Sequence, residues 1–152
     1  MKIKRFLGDN AAVVNLDEAI AFFRDVLGAK VNPEMPHGAR FGIRARGAWL
    51  GTEEPYRIEL IQSVNEELPM GRFVKKLTPG YMTISLEVEN IDEAIAELRA
   101  KGIRVSDKMD MGPMGFHELG FEKMYECMIH PTSACGLSIE LIEWKGPAAG
   151  QY

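Results

Sequence analysis

Two glutamates occupy the same four-residue setting in different halves of the chain. IELI reads at 58–61 and again at 139–142, so Glu59 and Glu140 each sit between strong strand formers. A carboxylate flanked by β-branched and apolar residues on a strand points to the face opposite its neighbours. Two carboxylates brought to one partly buried cleft cannot both ionise cheaply, so one holds its proton and the pair becomes an acid and a base. That chemistry suits proton transfer next to a carbonyl. A plainer reading makes both glutamates solvent-facing residues of ordinary strands, and the residues alone leave the two open.

A second echo shows what positions them. NLDEAIA at 15–21 returns as NIDEAIA at 90–96, each followed by an arginine (Arg24, Arg99) and then by GAKV or GIRV. Two echoes displaced by nearly half the chain indicate a duplicated unit of about 75 residues. The expected modules are 1–75 and 76–152, and equivalent positions of the two should build one site. Each NxDEAIA segment starts a helix. Asn15 and Asn90 are N-caps, Glu18 and Glu93 complete capping boxes, and Asp17 and Asp92 complement the helix dipole. Leu16, Ala19, Ile20, Phe23, Val26 and Leu27 form the first apolar stripe, Ile91, Ala94, Ile95 and Leu98 the second. Gly28 and Gly102 close the helices.

Strands flank them. TISLEVE at 83–89 alternates as a half-buried strand should, while its counterpart GDNAAVV at 8–14 is poorer in strand formers. Further strands are expected near 40–50, 56–63, 103–105, 123–129 and 137–144. A short helix is expected within 65–80, before a turn at Pro79-Gly80. The stretch SDKMDMGPMGFHELG at 106–120 reads as a loop: a plain surface loop, or a flap over a cleft, since Met adapts to apolar ligands and Gly permits hinging.

Composition narrows the class. The 152 residues are 46% hydrophobic with net charge −4, enough for a core and against disorder. Lys and Arg form no basic block, so nucleic acid is not an expected partner. Apolar runs are too short for a membrane span, and no signal peptide is read at the start. Cys127 and Cys135 are expected to be reduced thiols of a cytoplasmic protein.

These motifs, in this order, resemble the vicinal oxygen chelate superfamily, which includes glyoxalase I, methylmalonyl-CoA epimerase, extradiol dioxygenases and bleomycin-resistance proteins. NLDEAIAFFRDVLGAKV is similar to its first helix and GYMTISLEVENIDEAIAELRAKGIRV to the start of its second module. MIHPTSACGLSIELIE is similar to the last strands of the epimerase branch. The resemblance implies an α+β fold of two tandem βαβββ modules curved into a half-open barrel. It also implies a divalent metal held by His and Gln or Glu from module one and His and Glu from module two. Glu59 and Glu140 match the two carboxylate positions. Counting back along the repeat, the two histidine positions fall on Gly8 and Thr83.

Two carboxylates alone make a weak zinc site but could hold Mg²⁺ or Mn²⁺ with waters or substrate oxygens. The cofactor expectation is therefore either none or a divalent metal (Mg, Mn, Co, Ni or Zn) at Glu59 and Glu140. Asn10, Thr83, Ser85 and Ser138, on the same strand faces, are candidate substrate contacts, together with Phe116 and His117 of the 106–120 stretch. His37 and His130 read as loop and turn residues. Arg44, Arg46 and Arg57 are candidates for stabilising an enolate. Phe41, Trp49, Tyr56, Phe116 and Trp144 are core residues or the lining of a flat apolar cleft. Two functions stay open: an isomerase, epimerase or lyase using the glutamate pair, and a metal-free protein that binds a small molecule or antibiotic. A small-molecule ligand and a homodimer are the partners the resemblance implies.

Overall fold

The computed structural model describes residues 1–53 and 55–147. The described residues form two compact units, one from Gly8 to Met82 and one joining Met1–Leu7 to residues 83–147. β1 (Ile3–Ala12) serves both, with Ile3–Leu7 in the second unit and Gly8–Ala12 in the first.

In the first unit, β1 leads to α1 (Leu16–Ala21), β2 (Lys30–Val31), β3 (Ile43–Leu50), β4 (Tyr56–Ser63) and α2 (Pro69–Leu77). The strand order is β2-β3-β4-β1, with β1 parallel to β4 and the other pairs antiparallel. α1 lays Leu16 and Ile20 on one face of this sheet, against Ala48, Ile58 and Leu60. The second unit repeats the plan with β5 (Gly80–Val88), α3 (Ile91–Ala100), β6 (Met109–Asp110), β7 (Lys123–Ile129) and β8 (Ile139–Lys145). Its order is β6-β7-β8-β5, again with the outer pair β5 and β8 parallel. Val88, Ile91, Ala94, Ile95, Leu98, Cys127 and Leu141 form its core. The fold is α+β, with one βαβββ plan stated twice.

Both helices start as their sequences require. Asn15 Oδ1 accepts from the backbone N–H of Asp17 (3.0 Å) and Glu18 (3.2 Å). Asn90 repeats this with Asp92 (3.0 Å) and Glu93 (3.1 Å). Each cap amide also donates to the glutamate three residues on, at 3.0 Å and 3.3 Å. A further orphan N–H of each helix is satisfied from the sheet: Leu16 donates to Gln62 and Ile91 to Glu143, both at 2.9 Å.

Several expectations change. The first helix stays α-helical only to Ala21, and Phe22–Val26 widens into a π turn that leaves Phe22, Val26 and Leu27 exposed. β1 begins five residues earlier than the weak 8–14 stretch suggests. The strand expected at 103–105 is a single bridge, Val105 to Ile129, and the extra pairing comes at Met109–Asp110. The 106–120 stretch is packed rather than loose: Met111, Met114 and Phe116 are buried. Phe116 meets Phe121 edge-on at 5.6 Å, and Phe121 stacks on Trp144 at 5.6 Å. Burial of each such side chain contributes roughly 1.5–3 kcal/mol, which is why a Gly- and Met-rich segment is held down.

Candidate functional site

The glutamates occupy equivalent places in their modules. Glu59 is the Cα partner of Asn10 across β1 and β4, and Glu140 is the Cα partner of Ser85 across β5 and β8. In both units these residues lie on the strand face away from the helix. Their strand neighbours Ile58 and Leu60, and likewise Leu141, pack into the helix-side cores. The period-two alternation of a strand imposes this division.

In the second module, the Ser85 hydroxyl donates to Glu140 Oε2 at 2.6 Å. Ser85 is fully buried and Glu140 is 8% exposed. The short charge-assisted bond fixes the orientation of the carboxylate. Thr83, two residues back along β5, is also buried, and Ser138 is half-buried at the entrance to β8. Further along the same face, Glu87 is buried and takes ion pairs from Lys4 and from Arg5, the latter at 2.6 Å. Burial pushes the Glu87 carboxyl up. Hydrogen bonds from Lys4 and Arg5 outweigh that and hold it below the usual carboxylate range. Beneath the site, burial drives the Cys127 thiol up to about 12, with the nearby Glu140 charge adding to the effect.

In the first module, Glu59 meets a cation instead of a hydroxyl. Arg57 Nη2 donates to Glu59 Oε2 at 2.9 Å, and Arg57 is only 6% exposed. Asn10 is buried beside them. Of the three candidate arginines, Arg57 alone shares the face of Glu59. Arg44 turns to the helix side, where it clasps Asp17 and Glu34 at 2.7–3.0 Å. Arg46 donates to the Asn32 carbonyl at 2.9 Å. Strand alternation from Glu59 finds Arg57 two residues earlier. Placing Arg44 and Arg46 needs the register of β3, which the sequence does not display.

Phe116 and His117 are held within the second module. Phe116 is buried in the Phe121–Trp144 cluster. His117 is exposed, yet its Nδ1 lies 2.9 Å from the Phe121 carbonyl oxygen. Because that oxygen only accepts, Nδ1 carries the hydrogen. The ring rests on Gly112, where any Cβ would overlap it. His130 closes the turn before β8 through Thr132, at 2.8 Å from its hydroxyl.

The four metal positions implied by the resemblance do not fit a metal here. Gly8 has a φ of +133° and is clamped by β4: a Cβ there would stand 2.9 Å from the Arg57 carbonyl carbon and closer still to its oxygen. No ligand side chain fits at that position without displacing β4. Thr83 offers a hydroxyl where a histidine is expected, and Glu59 already carries the Arg57 guanidinium. Among the described residues, no group of three or more His, Cys, Asp or Glu is placed to hold a metal ion.

A profile of the glyoxalase/bleomycin resistance protein/dioxygenase superfamily matches residues 10–121. The chain belongs to this superfamily. Its relatives include the mitochondrial methylmalonyl-CoA epimerase of Mus musculus, 31% identical over 86% of this chain and 67% of that protein. The Bos taurus enzyme is 30% identical over 86% of this chain and 69% of that protein. Among solved structures, methylmalonyl-CoA epimerase from Mycobacterium tuberculosis superposes with a TM-score of 0.74 at 26% identity, covering 97% of this chain and 93% of that one. A Streptomyces coelicolor methylmalonyl-CoA epimerase variant in complex with 2-nitronate-propionyl-CoA shares the fold, with a TM-score of 0.74 at 23% identity over 93% of this chain and 98% of that one. The profile match stops before β8, so Glu140 lies outside it while Glu59 lies within.

Proposed function

We propose that this superfamily member is an epimerase-type enzyme that moves a proton at the carbon beside a carbonyl, with an acyl thioester such as methylmalonyl-CoA as the first substrate class to try. The observation that carries the reading is the Ser85–Glu140 pair, a buried carboxylate fixed by a 2.6 Å hydrogen bond at the position equivalent to Glu59. A carboxylate oriented this way is what a general base needs. The relatives named as methylmalonyl-CoA epimerases support the reaction class.

In the proposed reaction, one glutamate takes the proton from the carbon. The C–H electron pair moves into the carbonyl, forming an enolate with its charge on oxygen. The other glutamate, which enters the step protonated, delivers its proton to the opposite face of that carbon, restoring the carbonyl with inverted configuration and leaving the two glutamates with their protonation states exchanged. Glu140 and Glu59 are the two proton-carrying groups, one from each module. Asn10, Thr83, Ser85 and Ser138 line their strands as polar contacts for substrate. The cation beside Glu59 is protein-borne, so no step is assigned to a metal ion. The active form is a homodimer in the cytoplasm, and sedimentation of the purified protein tests the first part.

The experiment follows one stereoisomer of methylmalonyl-CoA by resolving its C2 epimers over time. Interconversion that E140Q reduces at least hundredfold supports the reading. Saturable thioester binding with no interconversion in wild type would instead support the metal-free binding protein, which the loss of both histidine positions favours.

A further inference from the structure

The two modules equip equivalent glutamates with different partners, a hydroxyl for Glu140 and a guanidinium for Glu59. We propose that Arg57 is the resident cation of this site, a fixed guanidinium that takes over from a bound divalent ion and binds an oxyanion of the substrate. This deepens the reading above: the substrate would carry a carboxylate, or develop an enolate oxygen, that pairs with Arg57.

Three features of the first module converge on this. The first concerns the chain path at Gly8. The Arg57 carbonyl occupies the space that a side chain at position 8 would need, and Gly8 adopts the positive φ that an L side chain rarely accepts. The main chain at residue 57 therefore excludes a ligand side chain at position 8, and the charged group that stands beside Glu59 is the Arg57 guanidinium.

The second is the space around the guanidinium. Gly47, directly across β3 from Glu59, has no side chain. A Cβ there would lie 3.4 Å from Arg57 Nε and 3.5 Å from Asn32 Cγ. Both are ordinary van der Waals distances, so the guanidinium edge lies close against β3 where Gly47 presents no side chain.

The third is unused hydrogen-bonding capacity. Arg57 is 94% buried, since only 6% is exposed, yet its Nε finds no hydrogen-bond partner among the described residues. A guanidinium has five N–H donors, and the bond to Glu59 uses one of them. A buried cation with unsatisfied donors is costly unless a further acceptor arrives. A carboxylate or enolate oxygen is such an acceptor, and the planar fork of arginine binds it in two-point geometry. A guanidinium also stays charged at every working pH, as a metal ion would.

The test is calorimetric and needs no turnover, so it remains readable even if the proposed reaction fails. Malonate serves as the oxyanion probe and malonamide as its neutral counterpart, titrated into wild type, R57K, R57M and R57M/E59Q. The double variant removes both charges, so it guards against misfolding from a lone buried glutamate, and circular dichroism checks each fold. The expected result is malonate affinity at least tenfold weaker in R57M and R57M/E59Q, a smaller loss in R57K, and no comparable change with malonamide. Parallel titration with Mn²⁺ and Zn²⁺ should show no saturable binding that depends on Glu59. Wild type failing to bind malonate, or malonate binding R57M/E59Q as tightly as wild type, would overturn the proposal. So would stoichiometric Mn²⁺ or Zn²⁺ in wild type that is lost in E59Q.

Discussion

At the residue scale, the site depends on atoms with no room to vary. Gly8 is the clearest case. A G8A change adds a Cβ into the Arg57 carbonyl at a φ of +133°, which should cost at least about 3 kcal/mol. Urea denaturation of G8A against wild type measures it. A G8H change, the direct way to restore a family ligand, is expected to unfold the first module rather than bind metal. Thiol chemistry gives a second residue-scale prediction. Cys127 is fully buried with its thiol pushed to about 12, while Cys135 is exposed. Iodoacetamide at pH 8 should therefore label Cys135 alone in the native protein, and Cys127 only after denaturation. Mass mapping of the alkylated peptides checks this. Rapid native labelling of Cys127 would mean that the core around Leu141 opens readily.

At the element scale, much was legible in advance, for local reasons. The Asn15 and Asn90 caps are set by a side chain and the N–H groups two and three residues on, so the sequence displays them directly. N90A should remove both cap bonds and cost about 1 kcal/mol, or roughly 2–4 °C in Tm for a chain of this size, as calorimetry would show. β4 and β7 were equally readable because each is a short run rich in apolar, aromatic and β-branched residues. What stayed hidden depends on distant partners. β1 begins at Ile3, and its first half pairs outside the first module, which no local propensity around Gly8 reveals. The π turn at Phe22–Val26 breaks a stripe that local periodicity extends to Leu27. The 106–120 stretch has the composition of a loop, but Phe121 and Trp144 draw Phe116 into a cluster. The equivalent placement of Glu59 and Glu140 was legible through the repeat. The partners of the glutamates were only partly so: Arg57 follows from alternation, whereas the Ser85–Glu140 bond needs the β5–β8 register.

At the scale of the whole molecule, duplication explains why one plan carries two chemistries. Both modules keep the strand order, the capped helix and the glutamate, and differ in what stands beside that glutamate. The second module also ties the leading segment to itself through Glu87, which Lys4 and Arg5 grip from β1. The folded Glu87 carboxyl is held below its unfolded value of about 4.3, so its contribution is fully present above that value and fades as pH falls through the folded pKa. E87Q should therefore destabilise the protein by roughly 1–3 kcal/mol at pH 7. The gap to wild type should shrink as pH drops below about 4. Denaturation curves of both proteins across that range test the sign, and a gap that widens towards acid would refute the assignment.

The measurement closest to the central claim is deuterium wash-in at C2 of methylmalonyl-CoA incubated with the protein in heavy water. It reads proton removal itself, whether or not epimerisation is completed. With each stereoisomer incubated separately, the account predicts label entering at C2 with wild type, at least a hundredfold slower entry with E140Q for the stereoisomer whose proton Glu140 takes, and near wild-type entry with a Glu118→Gln control on the exposed surface. Wild-type rates of exchange from both stereoisomers in E140Q would contradict it, because neither carbon acid would then depend on Glu140.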